Sequence, residues 1–511
     1  MKRKAVKLSE SLLIVALSLI FLYISFRNLD VAAVANSDEA RHGVSAYEML
    51  QTGNWIENTY NYEKDLWNLK PPISFWAEAA SMRIFGYSIW AFRFPSVMAF
   101  MTMFFVICFF LMKKYDTLTC TFFMILFIAF DDLFFAHFGR AGDADAIYGL
   151  FYILSLLCLY DYGTEDGKAN KLYLSAFFAA MAFLTKSFHA MVLYLILFIY
   201  VLALSKKKQL KWKNVLVAIV CALLPIALWG AWRYSFDGMT FLGSMFSTDV
   251  TERVSGTKKN PVEYARWLGT IVFYWMPRMY VAVLCSSLFV LLREKKFPYK
   301  EKNKILFWGL SLGTPLIVYI CAFAKANWYF LPFMICLCMS ASIALGRAVP
   351  VAFLRLTGKR EHGLIARKMI CGLILLLWIS VLGYSALNVG RNIKKADELQ
   401  LSALQTALRD LPGDGRKTEY SGLCAFIYKP DVSEGLPEYW EQADLFVAEL
   451  YNDYHCKEGG ISAFLDTEGS VLYIPKDMQR RDPRLSECIL VAENEEYVVL
   501  FHDVPSSALL S

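Results

Sequence analysis

Long apolar stretches separated by short polar segments occupy the first 388 residues of the chain. Several of them run for about 18 or more residues with almost no charge, which is long enough to cross a bilayer as a helix. The pattern predicts eleven membrane spans, at residues 11–28, 89–112, 117–136, 146–161, 172–185, 189–204, 214–234, 268–292, 305–323, 328–346 and 369–387. The first predicted span follows a basic N-terminus, and no A-x-A-like cleavage site comes after it. We therefore expect it to remain as an uncleaved span.

The lysine and arginine residues between the spans predict the orientation. Counted from the N-terminus, 25 of them fall in the segments on one side, while the opposite segments are short or mixed in charge. Because cytosolic loops are enriched in basic residues, this side is expected to be cytosolic. With an odd number of spans, the C-terminal part of the chain is then expected to be extracytoplasmic.

The first external segment contains two predicted interfacial helices. Residues 38–51 alternate apolar and polar positions with helical spacing, and Gly53 is a plausible stop. We expect polar residues such as His42 and Glu48 to face outwards. The second helix, at residues 72–85, begins after a Lys-Pro-Pro sequence, where proline suits a first helical position.

The composition changes near residue 389. Residues 389–511 contain 12 basic and 22 acidic residues, a net charge of −10. Because the whole chain has a net charge of +6, the remaining 388 residues carry a net charge of +16. This division predicts a transmembrane domain at residues 1–388 and a small, soluble, mixed α/β extracytoplasmic domain at 389–511. Its predicted elements are a helix at 396–411 and strands at 445–450, 470–475, 488–494 and 497–504, the last two as a possible hairpin.

Several function classes are disfavoured. The basic residues lie in short loops between spans, so nucleic-acid binding is a poor interpretation, and neither a Walker nor a GxGxxG pattern indicates a nucleotide. Nine of the twelve cysteines lie in or beside spans without CxxC spacing and are expected to pack as small apolar residues. The other three, Cys424, Cys456 and Cys488, leave one disulfide open.

Charged residues near the span ends carry the candidate chemistry, and in the predicted topology they all fall on the external side. They are Asp38, Glu39, Lys70, Arg140, Asp143, Asp145, Lys186, Arg253, Arg278 and Lys325. Carboxylates and cations that converge on one membrane face predict a site for an anionic, membrane-borne substrate with a general base at its centre.

Simpler explanations exist for several of these residues. Asn36 and Glu39 have the spacing of a capping box, so Glu39 could serve only to start a helix. Asp143 could be the N-cap of the fourth span. An isolated lysine such as Lys186 could be an interfacial anchor. The residues alone therefore indicate a polytopic membrane protein with an external acid/base site, and leave enzyme and transporter both open.

A series of short motifs resembles a known superfamily. Within about 60 residues the chain contains DE-x-R, M-x-x-x-G-x-W, K-P-P-x-x-x-W, F-G and R-x-P-S, and "GRAGDAD", "LTKS" and "KANWYFLP" follow. This order and spacing resembles the dolichyl-phosphate-mannose–protein mannosyltransferase superfamily, in particular its bacterial branch that includes the aminoarabinose transferases of lipid A. The resemblance covers residues 1–345, and the C-terminal part resembles the family only in being external and variable.

The resemblance implies a type C glycosyltransferase fold in the bacterial plasma membrane. Such enzymes transfer a sugar from a polyisoprenyl phosphate, undecaprenyl phosphate in bacteria, to an acceptor outside the cytosol. The acceptor can be a lipid, a protein or a polymer, and the transfer is expected to invert the anomeric centre. The alternatives are a glycolipid transporter or flippase, and a non-catalytic glycolipid-binding membrane protein.

The resemblance also implies roles for individual residues. Asp38 corresponds to the general base and Glu39 to its positioning partner, and Asp143 with Asp145 forms a second acidic element that orients the acceptor or holds an ion. Contacts to the donor phosphate are expected from Lys70, Lys186, Arg253 and Tyr329. No cofactor is expected to be required. Leu69 replaces a glutamate that can help to bind metal in the aminoarabinose transferases, which leaves a divalent metal in doubt.

Overall fold

The computed structural model describes residues 2–164, 167–205, 211–252, 275–293, 302–321, 327–357, 365–413, 415–428 and 441–503. The chain divides into two compact units. The first, here the membrane unit, comprises Met1–Arg27, Ser96–Arg140 and Ala144–Asp397. The second, the loop–tail unit, comprises Asn28–Pro95, Ala141–Asp143 and Glu398–Ser511.

Helices make up most of the described chain. In chain order they are α1 (Lys2–Phe26), α2 (Asp38–Thr52), α3 (Ile73–Phe85), α4 (Ile89–Lys114), α5 (Thr117–Ala129), α6 (Asp132–Phe135), α7 (Ala144–Thr164), α8 (Ala169–Lys186), α9 (Met191–Ser205), α10 (Trp212–Asp237), α11 (Thr240–Phe246), α12 (Trp275–Arg293), α13 (Lys302–Cys321), α14 (Leu331–Thr357), α15 (Ile365–Glu398), α16 (Ala403–Asp410), α17 (Gln442–Asn452), α18 (Gly460–Leu465) and α19 (Lys476–Arg481). Short 3₁₀ segments lie at Ser187–Ala190, Asn327–Phe330, Gly415–Lys417 and Pro483–Glu487, and Ser247–Glu252 is π-helical.

Each of the eleven predicted spans overlaps one of these helices, and residues 268–274 and 322–323 of two of the spans lie outside the described residues. Within the described ranges, seven helical stretches are long and apolar enough to cross a membrane, judged by length and composition: Ser9–Phe26, Ile89–Lys114, Ala144–Thr164, Ala169–Leu204, Trp212–Asp237, Leu331–Thr357 and Lys368–Glu398. Shorter apolar helices lie at Thr117–Ala129 and Arg278–Leu292. The chain is therefore a multi-pass membrane protein, while the count of eleven and the orientation stay predictions.

The loop–tail unit contains a two-stranded ribbon and a five-stranded sheet. The strands are β1 (Thr59–Tyr60), β2 (Glu63–Lys64), β3 (Cys424–Ile427), β4 (His455–Cys456), β5 (Ser470–Pro475), β6 (Ile489–Glu493) and β7 (Tyr497–His502). The sheet order is β4-β3-β5-β7-β6, with β3 parallel to β4 and β5, and β7 antiparallel to β5 and β6. Every residue of β5 is buried, as expected for a central strand. The strands predicted at 470–475 and 488–494 and the hairpin are confirmed. The strand predicted at 497–504 is observed as far as His502, and residue 504 lies outside the described residues.

Two predictions for this part of the chain are wrong. Residues 445–450 form the middle of helix α17, not a strand. An apolar run of this length fits a strand or a buried helix equally, and here a capping box between Glu441 and Asp444 starts a helix. The helix predicted at 396–411 is interrupted, because Ser402 accepts a hydrogen bond from the Gln405 N–H (3.1 Å) and starts α16 separately.

Helix α2 has no exposed polar face, contrary to the prediction. It packs against α3, β1 and α17, all in the loop–tail unit. His42 and Glu48 are fully buried, and Gly43 lies so close to α17 that a Cβ atom there would come within 2.6 Å of the Phe446 ring. The helix ends, as predicted, at Gly53, which has a left-handed conformation (φ 70°). Polar side chains on α2 thus serve contacts within the protein rather than with water.

The three cysteines of the C-terminal part are free thiols. Cys456 is buried in β4, and Cys424 and Cys488 are partly exposed. The disulfide that the sequence left open is therefore absent among these three residues.

Candidate functional site

Three charged side chains meet in the loop–tail unit. Asp38 is the first residue of α2, Lys70 precedes the Pro-Pro pair before α3, and Asp143 ends the short segment Ala141–Asp143. The Lys70 Nζ atom lies 2.9 Å from Asp143 Oδ1 and 3.5 Å from Asp38 Oδ1. Its positive charge thus offsets the repulsion between the two carboxylates. We call these residues the acid–lysine cluster.

The loop before Lys70 is held by side-chain hydrogen bonds. Asp65 Oδ1 accepts the N–H groups of Trp67 (2.8 Å) and Asn68 (3.3 Å), and it pairs with Arg41 (3.1 Å). The Asn58 amide donates to the carbonyl groups of Asn68 (2.7 Å) and Lys70 (3.2 Å).

The partners of Arg41 tie the same loop to α2. Arg41 follows Asp38 by one turn of the helix and lies between the rings of Tyr60 (4.2 Å) and Trp67 (4.7 Å). The loop that delivers Lys70 is therefore attached to the helix that carries Asp38.

Glu39, next to Asp38, has a different environment. Its carboxylate accepts hydrogen bonds from Arg93 Nε (2.7 Å) and Nη2 (3.0 Å) and from the backbone N–H groups of Ala35 (2.8 Å) and Gly142 (2.9 Å). Both charged side chains are almost wholly buried. Glu39 thus holds the segment that ends in Asp143, whereas Asp38 is left 23% exposed.

The capping-box alternative for this segment does not hold. Helix α2 starts after Ser37 without a side-chain cap, and Glu39 bonds to the Ala35 N–H upstream of the helix. Asn36 instead contacts the start of α17, where its carbonyl oxygen accepts the Ala443 N–H (3.0 Å) and its amide bonds to Glu441. The acids of this motif therefore do more than start a helix.

Close packing also positions Asp143. A Cβ atom on Gly142 would lie 2.2 Å from the Phe92 ring, so only glycine allows the segment to sit at this depth. The same residue donates its N–H to Glu39. Asp143 is fully buried as a result.

Sequence reasoning missed a buried acid and base beside this cluster. Glu78 on α3 and His42 on α2 are both fully buried, with Glu78 Oε2 3.5 Å from His42 Nε2, and the imidazole stacks on Phe75 at 3.8 Å. Burial raises the pKa of Glu78 well above its usual range, and the negative charge of Asp143 adds to this shift. A glutamate within the apolar pattern of α3 was the available signal.

A second cluster lies within the membrane unit. Lys186, the last residue of α8, forms a buried ion pair with Asp145 in the first turn of α7. The Lys186 ammonium also lies 5.1 Å from the ring centre of Tyr329, which in turn packs edge-on against His189 (4.6 Å). We call Asp145, Lys186 and Tyr329 the lysine–tyrosine cluster.

The chain reverses direction at this cluster through Ser187, which follows Lys186. Ser187 has a positive φ (47°), a conformation that favours glycine, and its hydroxyl bonds to Asp249 in the π-helical segment. This contact ties the segment after α11 to the end of α8 that carries Lys186.

The structure places the other predicted residues as follows. Arg140 donates to the Ile24 and Arg27 carbonyl groups at the end of α1 (2.5 Å to Arg27), so it caps a helix. Arg253 and Lys325 lie outside the described residues. Seven of the eight predicted site residues thus belong to two clusters or, for Glu39, support one of them.

These features define a multi-pass membrane protein with two clusters of acids and cations, one in each unit. A model of the dolichyl-phosphate-mannose-protein mannosyltransferase family matches residues 69–232. The crystal structure of ArnT from Cupriavidus metallidurans bound to undecaprenyl phosphate matches with a TM-score of 0.65 and 13% identity, covering 95% of this chain and 97% of that chain.

Two sequence relatives match part of the chain. An undecaprenyl phosphate-alpha-4-amino-4-deoxy-L-arabinose arabinosyl transferase of Shewanella sediminis (strain HAW-EB3) is 26% identical over 242 residues, 44% of this chain and 42% of the relative. An uncharacterized protein of Aquifex aeolicus (strain VF5) is 27% identical over 304 residues, 58% of this chain and 57% of the relative. The matches thus span about half the length of these relatives. These matches support the predicted relationship to the dolichyl-phosphate-mannose–protein mannosyltransferase superfamily and its ArnT-related branch, and the ArnT structure shows that the two chains share a fold.

Proposed function

We propose that this protein is a membrane glycosyltransferase that moves a sugar from a polyisoprenyl phosphate, undecaprenyl phosphate in a bacterium, to an extracytoplasmic acceptor with inversion. The relationship to the mannosyltransferase superfamily supports the reaction class. The name of the Shewanella relative and the lipid bound to ArnT support the donor class. The protein then works in the bacterial plasma membrane with its N-terminus in the cytosol and residues 389–511 outside.

The exposure of Asp38 is the observation that carries the proposal. Asp38 is 23% exposed and Lys70 16% exposed, whereas Asp143 is fully buried and Glu39 is bonded to Arg93 and two backbone N–H groups. Only Asp38 among these acids combines an accessible carboxylate with a neighbouring cation. We assign it as the general base that removes the acceptor proton as the acceptor attacks the anomeric carbon.

The leaving group of this reaction is a lipid phosphate, whose negative charge grows in the transition state. Lysine and arginine stabilise such charge without acting as nucleophiles. We assign Lys186 and Tyr329 to the phosphate, with Arg253 as a further contact, and Lys70 as the cation beside Asp38 that faces the reacting groups. Asp145, paired with Lys186, then holds the lysine in place, and Asp143 does the same for Lys70.

This mechanism requires no cofactor. Leu69 supplies no metal ligand, and the Lys70 ammonium already provides positive charge between the two carboxylates. We therefore expect transfer to continue in the presence of EDTA. Loss of activity on chelation, with recovery on adding Mg²⁺, Mn²⁺ or Zn²⁺, would show that the acid–lysine cluster works around a metal instead.

The test compares Asp38→Asn with the wild type in membranes supplied with undecaprenyl phosphate linked to radiolabelled sugars. General-base catalysis contributes about 10²–10⁴-fold, so transfer to membrane acceptors should fall by that factor. Binding of the donor lipid should remain, because the amide keeps the shape of the side chain. The exposed Asp466→Asn change in the C-terminal part is the matched control.

Wild-type transfer by Asp38→Asn would remove this residue as the base. The alternative functions, a glycolipid transporter or a non-catalytic binder, predict that the wild type transfers no sugar from any of the radiolabelled donors. Movement of labelled lipid across the bilayer of reconstituted vesicles, without a new glycosidic product, would favour the transporter.

A further inference from the structure

A cavity of about 280 Å³ lies within the membrane unit, among helices α12, α13 and α14. Its walls are mainly aliphatic and include Leu288, Leu291, Leu312 and Ile343. An apolar cavity between membrane helices is suited to a hydrocarbon chain. None of the residues assigned to the sugar-transfer reaction lines it.

Two residues of the cavity wall each carry a buried polar atom that makes no hydrogen bond to the described residues. Trp308 on α13 and Ser340 on α14 both line the cavity. Their indole N–H and hydroxyl groups are buried, and neither has a hydrogen-bond partner within the described part of the chain. Ser340 is only 7% exposed. Because a buried donor without a partner costs stability, these two groups indicate a bound molecule that presents acceptor oxygens.

Two cations stand at one end of the same cavity. Lys304 precedes Trp308 by one turn of α13, about 6 Å along the helix, and Arg347 follows Ser340 by about 10 Å along α14. Arg347 also lies over the ring of Tyr115, another wall residue, at 5.2 Å. In the predicted topology this basic end faces the cytosol, opposite to the proposed reaction.

We propose that this cavity binds one anionic glycerophospholipid of the surrounding bilayer. Its phosphate lies at Lys304 and Arg347, since basic pockets between membrane helices bind acidic headgroups. An ester carbonyl of the glycerol backbone accepts from Trp308 and Ser340, and an acyl chain fills the aliphatic part. The ester oxygens distinguish this ligand from a polyisoprenyl phosphate, which has a phosphate and a hydrocarbon chain but no carbonyl groups between them.

Native mass spectrometry of the full-length protein in detergent tests the proposal, with phosphatidylglycerol as the probe. Wild-type protein should retain one phosphatidylglycerol in preference to phosphatidylcholine, which has no net charge. The pair Trp308→Phe and Ser340→Ala should weaken this binding about tenfold, and so should the pair Lys304→Gln and Arg347→Gln. Ser340→Ala alone, the mildest change, should weaken it severalfold.

Matched controls are substitutions of the same types at residues that do not line the cavity. Ser342→Ala removes a hydroxyl that donates to the Cys338 carbonyl, and Lys113→Gln removes a cation that lies over Phe109. Neither should change phosphatidylglycerol binding more than about twofold. Equal binding by Ser340→Ala, by the cavity pairs and by these controls would overturn the proposal in favour of unspecific annular lipid.

Competition separates the two kinds of acidic lipid. If undecaprenyl phosphate displaces phosphatidylglycerol with higher affinity, and Ser340→Ala leaves its binding unchanged, the cavity holds the donor lipid and the assignment to a phospholipid fails. Retention of phosphatidylcholine as firmly as phosphatidylglycerol would likewise refute the role of Lys304 and Arg347.

Discussion

Replacing Glu39 by glutamine is expected to destabilise the protein, whereas the same kind of change at the neighbouring Asp38 is expected to stop catalysis. Glu39 and Arg93 form an ion pair whose side chains are 2% and 3% exposed, with Nε–Oε1 at 2.7 Å. The guanidinium also donates to the carbonyl groups of Leu29 and Ala32. Glu39→Gln leaves this buried positive charge without its counterion.

Removing one partner of a buried ion pair costs about 3–5 kcal/mol, because the other charge stays desolvated. For a folding unit of 150–250 residues, each kcal/mol lowers Tm by about 2–4 °C. Glu39→Gln should therefore lower the Tm of purified protein by about 6–20 °C. Asp38 is partly exposed and 3.5 Å from Lys70, so Asp38→Asn should cost less than about 1 kcal/mol.

Both variants are compared with the wild type by differential scanning fluorimetry in one detergent and by initial rates of sugar transfer below the Tm of each protein. Asp410→Asn, in the exposed pair with Arg409, controls for the loss of a surface carboxylate. A Tm for Glu39→Gln within 2 °C of that of the wild type, or a larger decrease in Tm for Asp38→Asn than for Glu39→Gln, would refute the assignment of a structural role to Glu39 and a catalytic role to Asp38.

Three further predictions concern the same regions. Gly142→Ala should destabilise the protein by about 1–3 kcal/mol and slow transfer, because the new Cβ atom would lie 2.2 Å from the Phe92 ring. Adding Phe92→Leu should restore part of the stability and part of the transfer rate, and a double variant that recovers neither would contradict the steric explanation. Burial raises the pKa of Glu48 to about 7 and that of the adjacent Glu449 well above its usual range, so the stability that these groups contribute is complete below about pH 4.5 and falls as the pH rises through 7. Glu48→Gln should flatten this pH dependence when Tm is measured from pH 4 to 8, and an unchanged slope of Tm against pH would contradict the prediction. Lys186→Gln should raise the KM for the donor lipid and lower kcat, since it removes charge that interacts with the phosphate before and during transfer; a change in neither would exclude contact with the phosphate.

The local motifs are where sequence reasoning succeeded. Helices were predicted at 38–51, from a glycine stop, and at 72–85, from a Lys-Pro-Pro start, and the structure has them at 38–52 and 73–85. Both signals act through neighbouring backbone atoms. The pairing of Lys70 with Asp143 was not predicted, although both residues were selected. This contact joins residues that are 73 positions apart in the chain, and local sequence patterns do not predict which acid a lysine will contact at such a distance.

The failures share a different cause. The strand predicted at 445–450 became a helix because the segment is buried on all sides, so its apolar pattern carried no period to separate the two structures. His42 and Glu48 were expected on an exposed face of α2. They are buried because α3 and α17 cover that helix, and neither partner is visible from its own sequence.

By itself, the sequence determined that the chain spans a membrane repeatedly, where helices α2 and α3 begin and end, and which residues are candidates for its chemistry. These features depend on hydrophobicity, helix-end geometry and charge, which act over a few residues. The tertiary structure decided which of two adjacent acids stays accessible. It buries Glu39 against Arg93 and the Gly142 N–H, and it leaves Asp38 beside Lys70 with part of its carboxylate exposed. That difference arises from contacts between residues far apart in the chain, which only the folded protein brings together.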